Sequence, residues 1–212
     1  MRVLVFDIST STGWALLEGE MGAVPKILET GIVNNDLPVS SFGEFPFSYY
    51  HAAKAIADKL LTVLAKADGF PAGAIDVVVI EEINKPGRFG NRYSQKVLDF
   101  IHCLTLQWML KATLSKFKVV YVNTSDWRKV IGGNLTKADK AMNIKVRKLK
   151  KAGNKEALKA LGVRGKVTKK HVAIRYVNAT FGLDLKMKDN DIADAICQGT
   201  AYFLGVKHCD GK

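Results

Sequence analysis

The sequence predicts an α/β domain, a mixed sheet with helices packed on it. Two apolar strands and a run of helical periods predict it. Val3, Val5 and Asp7 alternate with Leu4, Phe6 and Ile8, so both faces are apolar until the acid. That is the pattern of a central strand covered on both sides. Ile75 to Ile80, apolar but for Asp76, repeats it and ends in Glu81 and Glu82. Around these strands, apolar residues recur at helical spacing, as in Ala52, Ala55, Ile56, Leu60, Val63 and Leu64.

The remaining elements follow in order. Ser9 to Gly13 is a polar turn, and Trp14–Glu18 and Thr30–Asn34 read as a second and third strand in an antiparallel meander. A helix spans about 48–66, before the fourth strand at Ile75–Ile80. Residues 83–93 form a loop rich in Gly, Asn and Arg, and a long helix follows over about 94–115. Leu98, Ile101, Leu104, Thr105, Trp108 and Met109 line it, with Phe100 and Leu106 to the sides, enough apolar surface for core and for a dimer contact. Val119–Val122 is a fifth strand, and Thr124 or Ser125 caps a short helix carrying Trp127 and Arg128. Helices over 168–180 and 190–204 close the chain, and no internal repeat is present.

Composition bounds the function. The chain has 212 residues, 48% of them hydrophobic and 5 of them Pro, which excludes a disordered tail and fits one domain over 1–212. No apolar run reaches membrane-spanning length, so no membrane partner is expected. Asp7 interrupts the apolar N-terminus too early for a signal-peptide core. The three cysteines, Cys103, Cys197 and Cys209, lack metal-ligand spacing and fit a reducing, cytoplasmic compartment.

The net charge of +12 is concentrated. Lys137–Lys170 holds 13 Lys/Arg and two acids, a net of +11, while the other 178 residues carry +1. Such a cluster is the electrostatic footprint of a phosphate backbone or an anionic lipid surface, the alternative being a solvated helical face, and its size favours nucleic acid. It reads as a basic helical insertion over about 134–167, with one helix capped by Thr136 and closed by Gly153, and a second capped by Asn154. Its thin apolar stripe (Met142, Ile144, Val146, Leu149) predicts a projecting, weakly packed element. Arg147, Lys148, Lys150 and Lys151 are its DNA-binding candidates.

The acids carry the chemistry. Asp7 and Glu81 end their strands on the faces of Val3/Val5 and Val77/Val79. Side by side in parallel strands, they meet at the carboxyl edge, where α/β sheets bind ligands. Asp191 and Asp194 stand i, i+3 on the last helix, flanking the core stripe Ile192, Ile196, Gly199 and Phe203 without entering it. Asp189 or Asn190 suits an N-cap, and Asp191 in a first turn also complements the helix dipole. Glu82 points to the face opposite Glu81 and reads as structural. Four carboxylates with no His or Cys among them suit hard ions, Mg²⁺ or Mn²⁺. Two such ions clamp the attacking and leaving oxygens of a phosphodiester.

Phe6-Asp7-Ile8-Ser9-Thr10 with Gly13, Val79-Ile80-Glu81-Glu82 and Asp191-Ile192-Ala193-Asp194-Ala195 resemble the metal-binding signatures of the RuvC-like Holliday junction resolvases, within the RNase H-like nuclease superfamily. Val122–Lys129 resembles that group's fifth-strand segment. The resemblance spans Met1 to about Leu204. Ser9-Thr10 stands where Pro-Gly is usual, and the basic insertion has no compact bacterial counterpart, so a phage-type or divergent branch is expected. The resemblance implies an RNase H-like sheet of five strands in the order 3-2-1-4-5. It also implies Asp7, Glu81, Asp191 and Asp194 as catalytic ligands of two Mg²⁺ or Mn²⁺ ions, and a homodimer that nicks paired strands of a four-way DNA junction. Recombination and repair in a bacterial or phage-infected cytoplasm would be its setting.

Lys85, Arg88 and Arg92, with Phe89 and Tyr93, follow the Glu81 strand in a loop suited to gripping phosphates and stacking on bases. In resolvases this loop approaches the junction centre. Lys169 and Lys170 begin the penultimate helix near the acids, placed to neutralise a scissile phosphate, with His171 a second choice beside them. Two other readings compete. Asp7–Gly13 also resembles the first phosphate loop of an actin/sugar-kinase-type ATPase, though such kinases need a second loop and domain. A non-catalytic DNA-binding module explains the basic segment but leaves four acids repelling DNA.

Overall fold

The computed structural model describes residues 1–9, 11–34, 38–45, 47–68, 75–82, 103, 107, 118–161 and 165–210. The loop candidates Lys85, Arg88 and Arg92 lie outside the described residues, as does nearly all of the expected helix over 94–115. Its Cys103 and Gln107 are helical, and Cys103 packs against the core.

Six strands form one mixed sheet among the described residues, in the order β3-β2-β1-β4-β5-β6. They are β1 Arg2–Asp7, β2 Ser11–Glu18, β3 Lys26–Asn34, β4 Val77–Glu81, β5 Lys118–Val122 and β6 His208–Asp210. The antiparallel meander β1-β2-β3 and the parallel pairs β1/β4 and β4/β5 match the expected five-strand order. Two details differ. β2 and β3 are longer than their apolar cores, because ladder pairing extends through polar positions such as Ser11↔Asn34. The sixth strand, antiparallel to β5, comes from a C-terminal stretch whose three residues are too few to show a period.

Helix α1, Phe47–Asp68, covers one face of the sheet. Its Ala52, Ala53, Ile56, Ala57 and Leu60 pack on Leu4, Phe6, Leu16, Val78 and Ile80. The other face, Val3, Val5, Ala15, Leu17, Val77, Val79, Val120 and Val122, is covered by three helices. These are α2, Thr124–Val130, α5, Lys169–Phe181, and α6, Asn190–Phe203. The two residue sets alternate along each strand, so the pleat alone assigns every side chain to a layer. Gly199 lets α6 sit close on the sheet: a Cβ there would lie 2.6 Å from Val5 Cγ2 and would collide with Leu17 Cδ1.

The basic insertion is a helix pair, α3 Lys137–Lys151 and α4 Lys155–Ala160. Contrary to the weak packing expected, α3 is anchored. Thr136 and Asp139 form a reciprocal capping box. Asp139 also accepts from Arg175 of α5 at 2.7 Å, which with the Thr136 bonds holds its carboxyl down at about 2. Asn143 clamps the backbone of Val167, donating to its carbonyl and accepting from its N–H, both at 2.7 Å. Val146 is buried. α4 buries no residue fully. Among the described residues no helix is long and apolar enough to cross a membrane.

Candidate metal-binding active site

The β1/β4 register pairs Val3 with Val77 and Val5 with Val79, so Asp7 and Glu81 leave the sheet on the same face one step further on. That is the face α6 covers, and its first turns bring Asp191 and Asp194 over the strand ends. Asp7 is pushed well above the usual carboxylate range, by burial first and then by the charges of Asp194, Glu81 and Asp191. All three of the other acids thus act on Asp7. Asp194 rises to about 6, chiefly through burial, with Glu81 adding to the shift and Arg128 opposing it.

Three of the four acids are engaged by neighbours. Glu81 accepts from Thr124 Oγ1 at 2.5 Å on one oxygen. On its other oxygen it accepts from Trp127 Nε1 at 3.2 Å and Gln198 Nε2 at 3.3 Å. Asp191 pairs with Lys170 Nζ at 3.1 Å, and Lys170 also donates to Asn190 Oδ1. Asp194 Oδ2 pairs with Arg128 Nη2 at 3.1 Å, with both side chains 7% exposed. Asp194 has therefore entered the core rather than flanking it, because Arg128 supplies a charge partner inside. Burial works against the Lys170 ammonium, yet its hydrogen bond to Asp191 and the fields of Asp191, Asp7 and Asp194 hold it above its ordinary value.

Lys170 is thus a partner of the acid cluster. Lys169 is exposed on the first turn of α5, and Arg147, Lys148, Lys150 and Lys151 are exposed on α3. His171 Nδ1 accepts from the Thr168 backbone N–H at 3.1 Å, which makes it a cap of α5. Glu82 accepts from Asn123 Nδ2 at 3.1 Å and braces the start of α2. Thr124, Trp127, Arg128 and Gln198 hold the acids but carry no sequence signal of that role, since only the fold brings them to Glu81 and Asp194.

The donor set suits a hard divalent ion. It is all carboxylate oxygen, and Asp194 Oδ1 is buried with no hydrogen-bond donor. Burial and the neighbouring acids disfavour the ionised form of Asp7, and a bound cation would favour it. Among the described residues no three His, Cys, Asp or Glu are grouped as ligands of one ion.

No protein-family model and no curated protein matches the sequence. Solved structures do match. A Thermus thermophilus RuvC structure aligns at TM-score 0.58 and 13% identity, over 99% of this chain and 100% of that one. T. thermophilus RuvC in complex with Holliday junction substrate aligns at TM-score 0.55 and 11% identity, over 99% and 100%. The yeast mitochondrial Holliday junction resolvase Ydc2 aligns at TM-score 0.49 and 13% identity, over 96% and 78%. The chain shares the fold of these RuvC structures, an RNase H-like mixed sheet flanked by helices.

Proposed function

We propose that this chain is a divalent-metal-dependent endonuclease that resolves four-way or branched DNA junctions, nicking symmetrically as a homodimer. One observation carries the reading: the β1/β4 register sets Glu81 beside Asp7, and the close approach of the Asp191 backbone to Gly13, the ladder partner of Asp7, brings the acids of α6 to the same sheet end. The fold shared with a RuvC solved on a Holliday junction substrate supports the choice of DNA. Bound Mg²⁺ or Mn²⁺ would supply Lewis-acid stabilisation of the phosphodiester and activation of water.

The chain's own residues do the rest. Asp7, on a buried central strand, is the fixed point of the site. Glu81 is oriented by three donors, which limits its motion and its loss of entropy on binding a cation. Asp191, with Lys170, stands on the outer side. Lys170 is placed to meet a phosphate oxygen when Asp191 turns away. The exposed basic face of α3 adds sequence-independent affinity for phosphates. The kinase-like reading of Asp7–Gly13 is disfavoured because the Asp191 backbone closes over Gly13.

The test is incubation of the purified chain with four-way, flap and linear duplex DNA, with Mg²⁺ or EDTA. Junction nicking that requires Mg²⁺ and disappears in Asp7→Asn and Asp194→Asn supports the reading. Undiminished cleavage in those variants, or ATP hydrolysis without DNA cleavage, overturns it.

A further inference from the structure

We propose that Arg128 is a built-in counter-cation that holds Asp194 until a divalent ion displaces it, so that this one guanidinium sets the metal affinity of the centre. The proposal rests on the metal-dependent reading of the site.

Arg128 and Asp194 are both nearly removed from solvent, at 6% and 5% exposed. A buried carboxylate needs a compensating cation, and Arg128 supplies it. The pairing is nevertheless incomplete on both sides. Arg128 uses Nη2 alone, while its Nε and Nη1 are buried with no acceptor. Asp194 uses Oδ2 alone, while Oδ1 is buried with no donor. An arginine serving only as a clamp would make two parallel bonds to the carboxylate fork. Here one contact neutralises the charge and leaves a carboxylate oxygen unused.

The arginine also has a second hold. Its Cζ lies 4.0 Å from the centroid of the Trp127 ring, a cation–π contact independent of Asp194. Trp127 is fully buried and donates to Glu81, so the stacking surface stays in place. Arg128 can release Asp194 without leaving its platform. One short helix thus touches two of the four acids, fixing Glu81 through Thr124 and Trp127 and screening Asp194 through Arg128. By linkage, the part of the Arg128–Asp194 interaction that is lost when the ion binds is subtracted from metal binding.

The experiment titrates Mn²⁺ into the full chain by calorimetry, for the unsubstituted protein, R128M and R128K, and records melting midpoints in EDTA. R128M is expected to bind Mn²⁺ tighter, within about 5- to 150-fold, while its midpoint in EDTA falls. A merely structural arginine would weaken both. R128K, which keeps the charge, should return both values toward the unsubstituted protein, and the double variant R128M/D194N should recover the EDTA midpoint. Equal or weaker Mn²⁺ binding by R128M overturns the proposal. Should R128M fail to fold, the unsubstituted chain decides the matter by NMR of its ¹⁵N-labelled arginine side chains. Saturation with Mg²⁺ must shift the Arg128 guanidinium signal, and an unmoved signal overturns the idea. Mg²⁺-dependent junction cleavage with unchanged R128M affinity would keep the nuclease and discard the arginine role. Tighter R128M binding without cleavage of any DNA would do the reverse.

Discussion

Gly13 lies directly beneath the backbone of Asp191. A Cβ built on Gly13 would collide with the Asp191 carbonyl and lie 2.8 Å from the Ile192 nitrogen. Gly13 is also the ladder partner of Asp7. One glycine therefore lets the first turn of α6 descend onto the end of β1, which brings the acids of a helix and of a strand together. The three nearest atoms are all backbone, so no side-chain rotation relieves the clash. Gly13→Ala is expected to cost about 1–3 kcal/mol through overpacking, lowering the melting midpoint by about 2–4 °C per kcal/mol. Mn²⁺ affinity should fall with it, because Asp191 is pushed from Asp7. Calorimetric melting and Mn²⁺ titration of the variant check both.

The acid cluster gives metal-free stability a definite pH dependence. Asp194 has an ordinary value of 3.8 and a folded value of about 6, so the folded chain holds this proton more tightly than the unfolded one. Its favourable contribution is complete below about pH 4 and is lost as pH rises to about 6, on the order of 3 kcal/mol. Asp7 is shifted in the same direction and adds to the loss. The midpoint in EDTA should therefore fall from pH 4 toward neutrality in excess of the chain's background trend. Asp194→Asn should flatten that fall. A divalent ion replaces the proton as the neutralising charge, so Mg²⁺ should raise the midpoint more at pH 8 than at pH 5. Scanning calorimetry across this range, with and without Mg²⁺, measures both slopes.

Trp127 couples the core to the chemistry. Its ring is buried and its indole N–H reaches Glu81 at 3.2 Å. Trp127→Phe keeps an aromatic ring but removes the donor. A hydrogen bond to a charged group contributes about 1.5–3 kcal/mol, so the variant should fold with a lower midpoint. Glu81 keeps Thr124 and Gln198, so nicking should fall without vanishing. Thr124→Val in the same background removes a second donor and should bring the rate close to that of Glu81→Gln. Single-turnover cleavage of a four-way junction distinguishes these steps.

Much of this site was legible before any coordinates. The alternation Val3-Val5-Asp7 and Val77-Val79-Glu81 placed both acids on one face, since a two-residue period leaves a strand no other choice. The i, i+3 spacing put Asp191 and Asp194 together for the analogous reason in a helix. The supporting residues were not legible. Arg128 lies 66 residues from Asp194 and Gln198 lies 117 from Glu81, separations at which no local period operates. A helical wheel places Asp194 beside the apolar stripe. Whether that position is wet or dry depends on what packs against it, and an arginine from another helix makes it dry. The anchoring of α3 was hidden likewise, because Asp139 and Asn143 find their partners only across the fold.

The basic face of α3 makes the final prediction. Arg147, Lys148, Lys150 and Lys151 are all exposed, while Asp139, Asn143 and Val146 fasten the helix to the domain. Charge and anchor lie on different residues, so the charges can be removed without freeing the helix. Each phosphate neutralised on duplex DNA contributes about 0.9 to the slope of log affinity against log salt. Replacing these four residues with Gln should lower that slope by up to about 3–4 and weaken binding to all DNA shapes alike. The melting midpoint should hold, because none of the four takes part in the capping box, the Asn143 clamp or the Asp139–Arg175 pair. Mg²⁺ affinity should hold as well, since the acids draw their cations from Lys170 and Arg128. A slope unchanged in the quadruple variant would mean that α3 faces away from the DNA and that the phosphate contacts are made elsewhere on the domain.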